Sequence, residues 1–338
     1  MQETSMMAAV VRKPAPIDEN PVVIERLPIP DPKEGEALLR VLACGVCHTD
    51  LHVAEGDLPP LQPWIIPGHQ IVAEVVTSPS ADLAVGTRVG VCWLGGTDGT
   101  CRFCLSQREN LCDHPVFTGY TRNGGFAEYV TARVDFLLRL HSGMTDVQVA
   151  PLLCAGIIGF RSLRVAEVQH GQTVGLFGFG ASAQLMMKVL KAWECKIYVS
   201  TRETAHQQLA RELGADWVGG AYDVPPVALD RAVTFAPSGD VVLAALKSLD
   251  KGGILAINAI HLDRVPEFDY DSLLWGERQI RSVANVTRQD VQEFLQLADQ
   301  LGIRPQVDIY SLQDVSRALR NIRHDQFSLP SVIVPKTV

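Results

Sequence analysis

The sequence predicts an α/β protein in two parts, an irregular β domain joined to a doubly wound parallel sheet. Three observations carry this. The first 140 residues hold β-branched runs broken repeatedly by glycine and proline. From Thr145 the apolar period lengthens to that of helices. After Thr173, short apolar strands alternate with amphipathic helices, the pattern of a parallel sheet covered on both faces.

Composition bounds the function. With 338 residues, 47% of them hydrophobic, the chain can build two packed cores, and disorder is not expected. A net charge of -8, without a basic run or a basic face interleaved with aromatics, argues against a nucleic-acid partner. The opening MQETSMMAAVVRKP lacks the basic and apolar regions of a signal peptide, and no run of about 18 residues is continuously apolar. The expectation is a cytoplasmic protein with no membrane partner. Eight cysteines in a reducing compartment do not form a disulfide framework; five lie between Cys44 and Cys104, with Cys112 just beyond, and this clustering favours metal.

In chain order, strands are expected at Val22–Glu25, Ala37–Ala43, Ile71–Thr77, Arg88–Trp93 and Ala127–Thr131. Between them lies CGVCHTD, Cys44 to Asp50. Cys47 could ligate a metal, Thr49 could pass a proton and Asp50 could orient a ligand histidine, although CxxC also suits a redox pair or two packed small side chains. Pro59, Pro60, Pro63 and Pro67 precede His69, placing it where a constrained loop enters a strand. Asp98, Cys101, Cys104 and Cys112 then have the spacing of a small tetrahedral zinc lobe, an alternative being incidental cysteines in an exposed loop. Three thiolates plus Asp98 would overcompensate a dication, so amide or basic neighbours such as Arg102 or Arg108 are required.

Thr145 with Gln148 reads as a capping box that opens an apolar helix containing Cys154, by itself an ordinary core cysteine. The strand Thr173–Phe177 runs into Gly178-Phe179-Gly180, then a helix opening near Ala181, Ser182 and Ala183. This is GxGxxA in a strand–turn–helix setting: the first glycine permits the turn, the second admits a pyrophosphate, and Ala183 lets helix and strand pack closely. Strands Lys196–Ser200, Arg231–Phe235 and Gly253–Asn258 alternate with helices Glu203–Leu213 and Asp240–Leu249, giving a dinucleotide-binding Rossmann sheet. The acidic residue that would hold a ribose 2′-hydroxyl is missing. Ser200, Thr201 and Arg202 stand there and suit a 2′-phosphate, so NADP(H) is favoured over NAD(H), unless Arg202 merely faces solvent. After Gln279–Ala284, helices Arg288–Leu301 and Gln313–Ile322 and strand Ser331–Val334 return to the first domain.

Taken together, CGVCHTD, PGHQ (Pro67 to Gln70), the cysteine lobe with RENLC, NGGFAEY, LLCAG, GFGASA and LLWGERQIRSVAN resemble the zinc-dependent medium-chain alcohol dehydrogenases, in particular their bacterial, cinnamyl-alcohol-dehydrogenase-like branch. The resemblance covers nearly the whole chain. It implies a GroES-like catalytic domain over residues 1–155 and 286–338, a Rossmann domain over 156–285, and two zinc ions per chain. The catalytic zinc would be held by Cys47, His69 and Cys154, the ligand set the general rule gives for alcohol dehydrogenase, and the structural zinc by the lobe. Thr49 and His52 match the family's proton relay; without the resemblance His52 reads as a surface histidine. Trp93 and Leu94 fall at its substrate pocket, where an indole favours primary alcohols and aldehydes. Nicotinamide would lie against backbone like that of Asn258, Ala259 and Ile260 and of Val283, Ala284 and Asn285. A homodimer or homotetramer is expected by the same analogy.

Three departures stand out. Gln70 replaces a usual glutamate beside the zinc, which removes a negative charge and should make the metal more electrophilic. Asp98 replaces the lobe's first cysteine. HDQFSLPS lacks the arginine that many relatives use on the cofactor pyrophosphate, leaving Ser328 or the glycine-turn amides. Two other readings use the same fold: a zinc-free quinone or enone reductase, which has no need of Cys47, His69 and Cys154 together, and a catalytically silent nucleotide-binding protein.

Overall fold

A computed structural model describes residues 4–141, 143–260, 262–324, 326 and 329–335. It is α/β and divides into two compact units. The first comprises residues 1–154, 287–299 and 304–338; the second comprises 155–286 and 300–303. The short segment 300–303 thus joins the second unit, not the first as expected from the sequence.

The first unit is organised by strand Glu36–Gly45, ten residues whose alternating burial marks a strand with one face on a core. It pairs antiparallel with Gln70–Thr77 on one side and with Ser331–Val334 on the other, while Tyr129–Arg133 pairs along its first half. Arg88–Val91 and Leu138–Arg139 extend the sheet beyond Gln70–Thr77, and Asp308–Ser311 closes the other edge in parallel with Ser331–Val334. A separate hairpin, Ser5–Val11 with Val22–Pro28, packs its Ala8, Ala9 and Val10 into the same core as Leu39, Ile71, Phe126 and Leu319.

The second unit is a six-stranded, all-parallel sheet. Numbered within the unit, its order is 3-2-1-4-5-6: Trp217–Gly219, Lys196–Ser200, Thr173–Phe177, Leu229–Thr234, Leu249–Ile257 and Gln279–Ser282. Parallel strands need crossovers, and the amphipathic helices Ala181–Ala192, Thr204–Glu212 and Gly239–Lys247 supply them. The order reverses between the first and fourth strands, where such sheets receive ligands.

Several elements differ from the sequence expectation. The run Arg88–Trp93 breaks after Val91, and a second short strand, Leu94–Gly96, leaves to pair with Val116–Phe117. The strand expected at Ala127–Thr131 runs from Tyr129 to Arg133. Cys154 is not inside a continuous helix. The capping box at Thr145 forms and opens only Asp146–Val149; a tighter turn, Ala150–Leu153, follows, and Cys154 adopts φ -137° and ψ -72° before helix Ala155–Val165 begins. Pro151 removes a backbone donor from what would be the ladder, which forces the interruption. The helical stretch Asp146–Val165 has the length and hydropathy of a membrane span, but most of it is buried within the protein.

The loop that leads to His69 is held in part by close backbone approach. Gly125 N donates to Gly68 O at 2.8 Å and Phe126 N to Pro67 O at 3.0 Å, and Gly68 has φ +97°. A Cβ on Gly124 would collide with the Gly68 carbonyl oxygen. Gly124→Ala is therefore expected to lower stability by about 1–3 kcal/mol, the usual cost of overpacking a filled site. Urea unfolding monitored by circular dichroism measures this, and an unchanged midpoint would contradict the close-packed crossing.

Candidate active site and metal centres

Strand pairing brings the first two candidate ligands together. Gly45 is opposite Gln70 in the register of the two central strands. The chain leaving Gly45 reaches Cys47, and the chain entering Gln70 carries His69, so the two side chains meet at one sheet end. Cys154 arrives from the third direction because Leu153 packs against Gly90, where an added Cβ would be 3.1 Å from a Leu153 methyl.

The Cys47 Sγ and His69 Nε2 atoms are 3.5 Å apart, and the three donor atoms of Cys47, His69 and Cys154 lie within 4.8 Å of one another. Tetrahedral zinc with Zn–S of about 2.3 Å and Zn–N of about 2.0 Å requires a sulfur–nitrogen separation of about 3.5 Å. The trio fits zinc in chemistry and spacing. The hydrogen bond from Cys154 holds the Cys47 thiol well below its ordinary value, against burial and with help from the His69 charge. Cys154 moves the opposite way, raised by sharing its proton with Cys47 and by burial. Burial would depress His69, but the charges of Asp50 and Cys47 raise it to about 10. A dication would displace the shared protons.

Asp50 ties this end together. One oxygen accepts from Cys47 N at 2.9 Å; the other accepts from Gly68 N and from His69 Nδ1, each at 3.0 Å. The Nδ1 contact leaves Nε2 directed toward Cys47. Asp50 also caps helix His48–Glu55, which the sequence reading missed: the cap at its start is Cys47 Sγ, accepting from Thr49 N at 3.2 Å, and cysteine is not a usual cap residue. Thr49 is buried in the first turn and His52 lies one turn further on the same face. His52 Nδ1 meets Asp57 Oδ2 at 2.8 Å, a partner absent from the sequence expectation.

Trp93 stands next to His69, ring edge to face with centroids 5.2 Å apart, whereas Leu94 is buried in its short strand. Gln70 is also buried, and its amide packs against Gly45, where an added Cβ would meet Oε1 at 2.6 Å. Cys44 packs beside Gly68 and Gly125 and takes no place among the clustered donors.

The second cluster forms as a local loop. The donor atoms of Asp98, Cys101, Cys104 and Cys112 lie within 4.8 Å of one another. Asp98 Oδ1 accepts from Thr100 N and Cys101 N, both at 2.9 Å, and these amides hold its carboxyl well below the usual range. Cys112 Sγ accepts amides from Asp98 and His114 at 3.4 Å. Amides therefore offset the negative charge, while Arg102 and Arg108 stack on the Phe103 ring. Burial raises the Cys104 thiol to about 11. Glu109 anchors the lobe by accepting from Arg288 N at 2.8 Å and from its guanidinium at 3.0 Å.

In the second unit, the candidate nucleotide residues gather at the carboxyl ends of the parallel strands. Gly178 has φ +90° and donates to Ser200 O at 2.8 Å, which joins the glycine turn to the end of the second strand. An added Cβ at Gly178 would be 3.0 Å from Ala236 N, whereas Gly180 faces open space. Ala181 and Ser182 open the helix and Ala183 is fully buried in its packing face. Ser200 and Thr201 are buried, the Ser200 hydroxyl donating to Asp223 O at 3.4 Å; Arg202 is exposed and paired with Glu203 at 2.7 Å. Ala259 and Ile260 follow the fifth strand, and Ala284 and Asn285 follow the sixth, Asn285 with φ 53°. Ser328 lies outside the described residues.

Known proteins resemble the chain over nearly its whole length. Residues 33–142 match the alcohol dehydrogenase GroES-like domain. A probable alcohol dehydrogenase, AdhA, of Mycobacterium tuberculosis is 44% identical over 337 residues, covering 98% of this chain and 97% of that protein. The chain belongs to the zinc-dependent medium-chain alcohol dehydrogenase family. An alcohol dehydrogenase of Geobacillus stearothermophilus is 33% identical over 94% of this dehydrogenase and 95% of its own length. The fold matches that of the CAD from Helicobacter pylori complexed with NADP(H), with a TM-score of 0.86 at 22% identity, over 98% of this chain and 99% of that one.

The three hydrogen bonds to Asp50 make it a sensitive point. Asp50→Asn keeps the shape but turns an NH2 toward one of the buried donors. Metal retention at the Cys47, His69 and Cys154 cluster should fall about 10- to 100-fold, as for other ligand-orienting carboxylates. Competition with a chromogenic chelator reports this directly; equal retention would show that His69 needs no such support.

Proposed function

We propose that this alcohol dehydrogenase interconverts primary alcohols and their aldehydes, with two zinc ions per chain and NADP(H) preferred to NAD(H). The convergence of Cys47, His69 and Cys154 beside Thr49 carries the reading. Two thiolates neutralise a zinc dication and three protein ligands leave one position for substrate oxygen. The bound zinc would supply Lewis-acid polarisation of that oxygen.

The chain's own groups handle the proton and the orientation. Thr49 accepts the alcohol proton and passes its own outward. His52, whose Nδ1 meets Asp57 Oδ2 at 2.8 Å, is the next group in the relay. Trp93 forms a wall beside the ligand His69 and disfavours a second substituent on the reacting carbon. Bound nicotinamide would supply hydride chemistry at that carbon, and the backbone after the fifth and sixth strands, at Ala259, Ile260, Ala284 and Asn285, would hold it. In the nucleotide site the glycine turn and the first amides of helix Ala181–Ala192 would hold the pyrophosphate, and Arg202 the 2′-phosphate. Asp98, Cys101, Cys104 and Cys112 hold the second zinc in a structural role. All eight cysteines are unpaired, which supports action in a reducing compartment such as the cytoplasm. The homodimeric or homotetrameric assembly carried by the family resemblance completes the proposal.

A panel of primary and secondary alcohols with both cofactors, run beside elemental analysis, tests this. The expected outcome is alcohol-dependent NADP+ reduction, faster for unhindered primary alcohols, in protein carrying about two zinc ions per chain. Zinc-replete protein that reduces neither cofactor in the presence of any alcohol would overturn it. For the cofactor, Arg202→Ala should weaken NADPH binding about tenfold, the worth of a charge-assisted hydrogen bond, and leave NADH binding nearly unchanged. Fluorescence titration reads both constants, and equal losses would assign Arg202 no role in selection.

A further inference from the structure

Trp93 is not an isolated wall. Its indole is stacked on Phe117 with centroids 4.8 Å apart and planes 18° from parallel, and it lies within 6.1 Å and 11° of the Tyr120 ring. It also meets the imidazole of His69 edge to face. Four rings therefore run together from the proposed metal ligand into the chain segment after the cysteine lobe.

That segment is built to be stiff. Leu94 pairs with Phe117 across the short hairpin, and Thr118 N donates to Trp93 O at 2.9 Å. The turn that follows is closed by Gly119 N to Arg122 O at 2.8 Å, Thr121 N to Phe117 O at 2.9 Å and Phe117 N to Thr121 Oγ1 at 2.6 Å. It lies flat on the strand because Gly95 has no side chain; a Cβ there would meet Thr118 Oγ1 at 2.6 Å. The Tyr120 hydroxyl donates to Pro59 O at 2.8 Å, and Gln62 Nε2 donates to Thr121 O. An indole free of such neighbours exchanges between rotamers; one stacked on fixed rings does not.

We propose that Phe117, supported by Tyr120, is a positioning residue for substrate selection: its ring holds the Trp93 indole beside His69 and thereby fixes the width of the alcohol pocket. The proposal rests on Trp93 lining that pocket. Selectivity between a carbinol with one substituent and a carbinol with two is then set partly by a side chain whose contact is with the wall, not with the substrate. Removing the Phe117 ring frees the indole to swing, which admits the second substituent. The primary alcohol, which never needed that space, gains nothing from it.

The experiment measures kcat/KM for 2-butanol and 1-butanol in the unmodified enzyme, Phe117→Ala, Phe117→Tyr, Trp93→Ala and the double variant. The ratio of 2-butanol to 1-butanol should rise about two- to tenfold in Phe117→Ala, the size of an aromatic pair contribution, and return in Phe117→Tyr, which restores a ring. In the Trp93→Ala background, Phe117→Ala should change the ratio no further. The emission contributed by Trp93, taken as the difference from a Trp93→Phe chain, should shift to the red when Phe117 is truncated. If the alanine variant does not fold, Phe117→Leu keeps apolar volume without a ring and carries the same expectation. A ratio raised by Trp93→Ala but unmoved at Phe117 overturns the positioning role and leaves the pocket reading intact, as does an equal rise in both backgrounds. A ratio unmoved by Trp93→Ala overturns the pocket reading and the proposal with it.

Discussion

The candidate ligand cluster of the first unit depends on one carboxylate. Asp50 is almost wholly buried, and burial pushes its carboxyl up in spite of the His69 charge. A buried carboxylate is tolerated only when its lone pairs are used. Here they accept from Cys47 N, Gly68 N and His69 Nδ1. Each bond fixes something different: the start of a helix, a glycine turn and the tautomer of a candidate ligand. The same group that orients the imidazole thus decides where Cys47 and Thr49 stand.

The sheet supplies what Asp50 cannot. Because Gly45 pairs with Gln70, residues far apart in sequence emerge side by side at one strand end. A slip of one residue would send Cys47 and His69 to opposite faces. Gln70, the departure from the family's glutamate, is locked in this register against Gly45. The consequence is that the amide is a packing element as much as an electrostatic one.

Much of this was legible in the sequence, for reasons that differ by element. The parallel sheet was clear because strand and helix periods alternate cleanly from Thr173, and GxGxxA fixes the first turn. Candidate ligands could be named from residue type and resemblance. What the sequence hid were contacts between distant segments. Phe117 and Tyr120 on Trp93, and Arg288 on Glu109, carry no local pattern. Strand Trp217–Gly219 is too short for a period, and helix His48–Glu55 opens on a thiol, outside the usual capping signals. The break at Cys154 was foreshadowed by Pro151, yet the helical pattern on either side read as continuous.

The two cysteine-bearing clusters differ in how far the chain must travel to make them. Asp98 through Cys112 close within one loop, so bringing their donors together costs little chain entropy. Cys47, His69 and Cys154 meet only after the central strands pair and Leu153 docks on Gly90. The order of assembly follows: the lobe can organise from local contacts while the rest of the chain is still open, and the candidate ligand trio is a late product of long-range strand pairing. The proposed structural cluster is thus the one that a newly made chain can complete first.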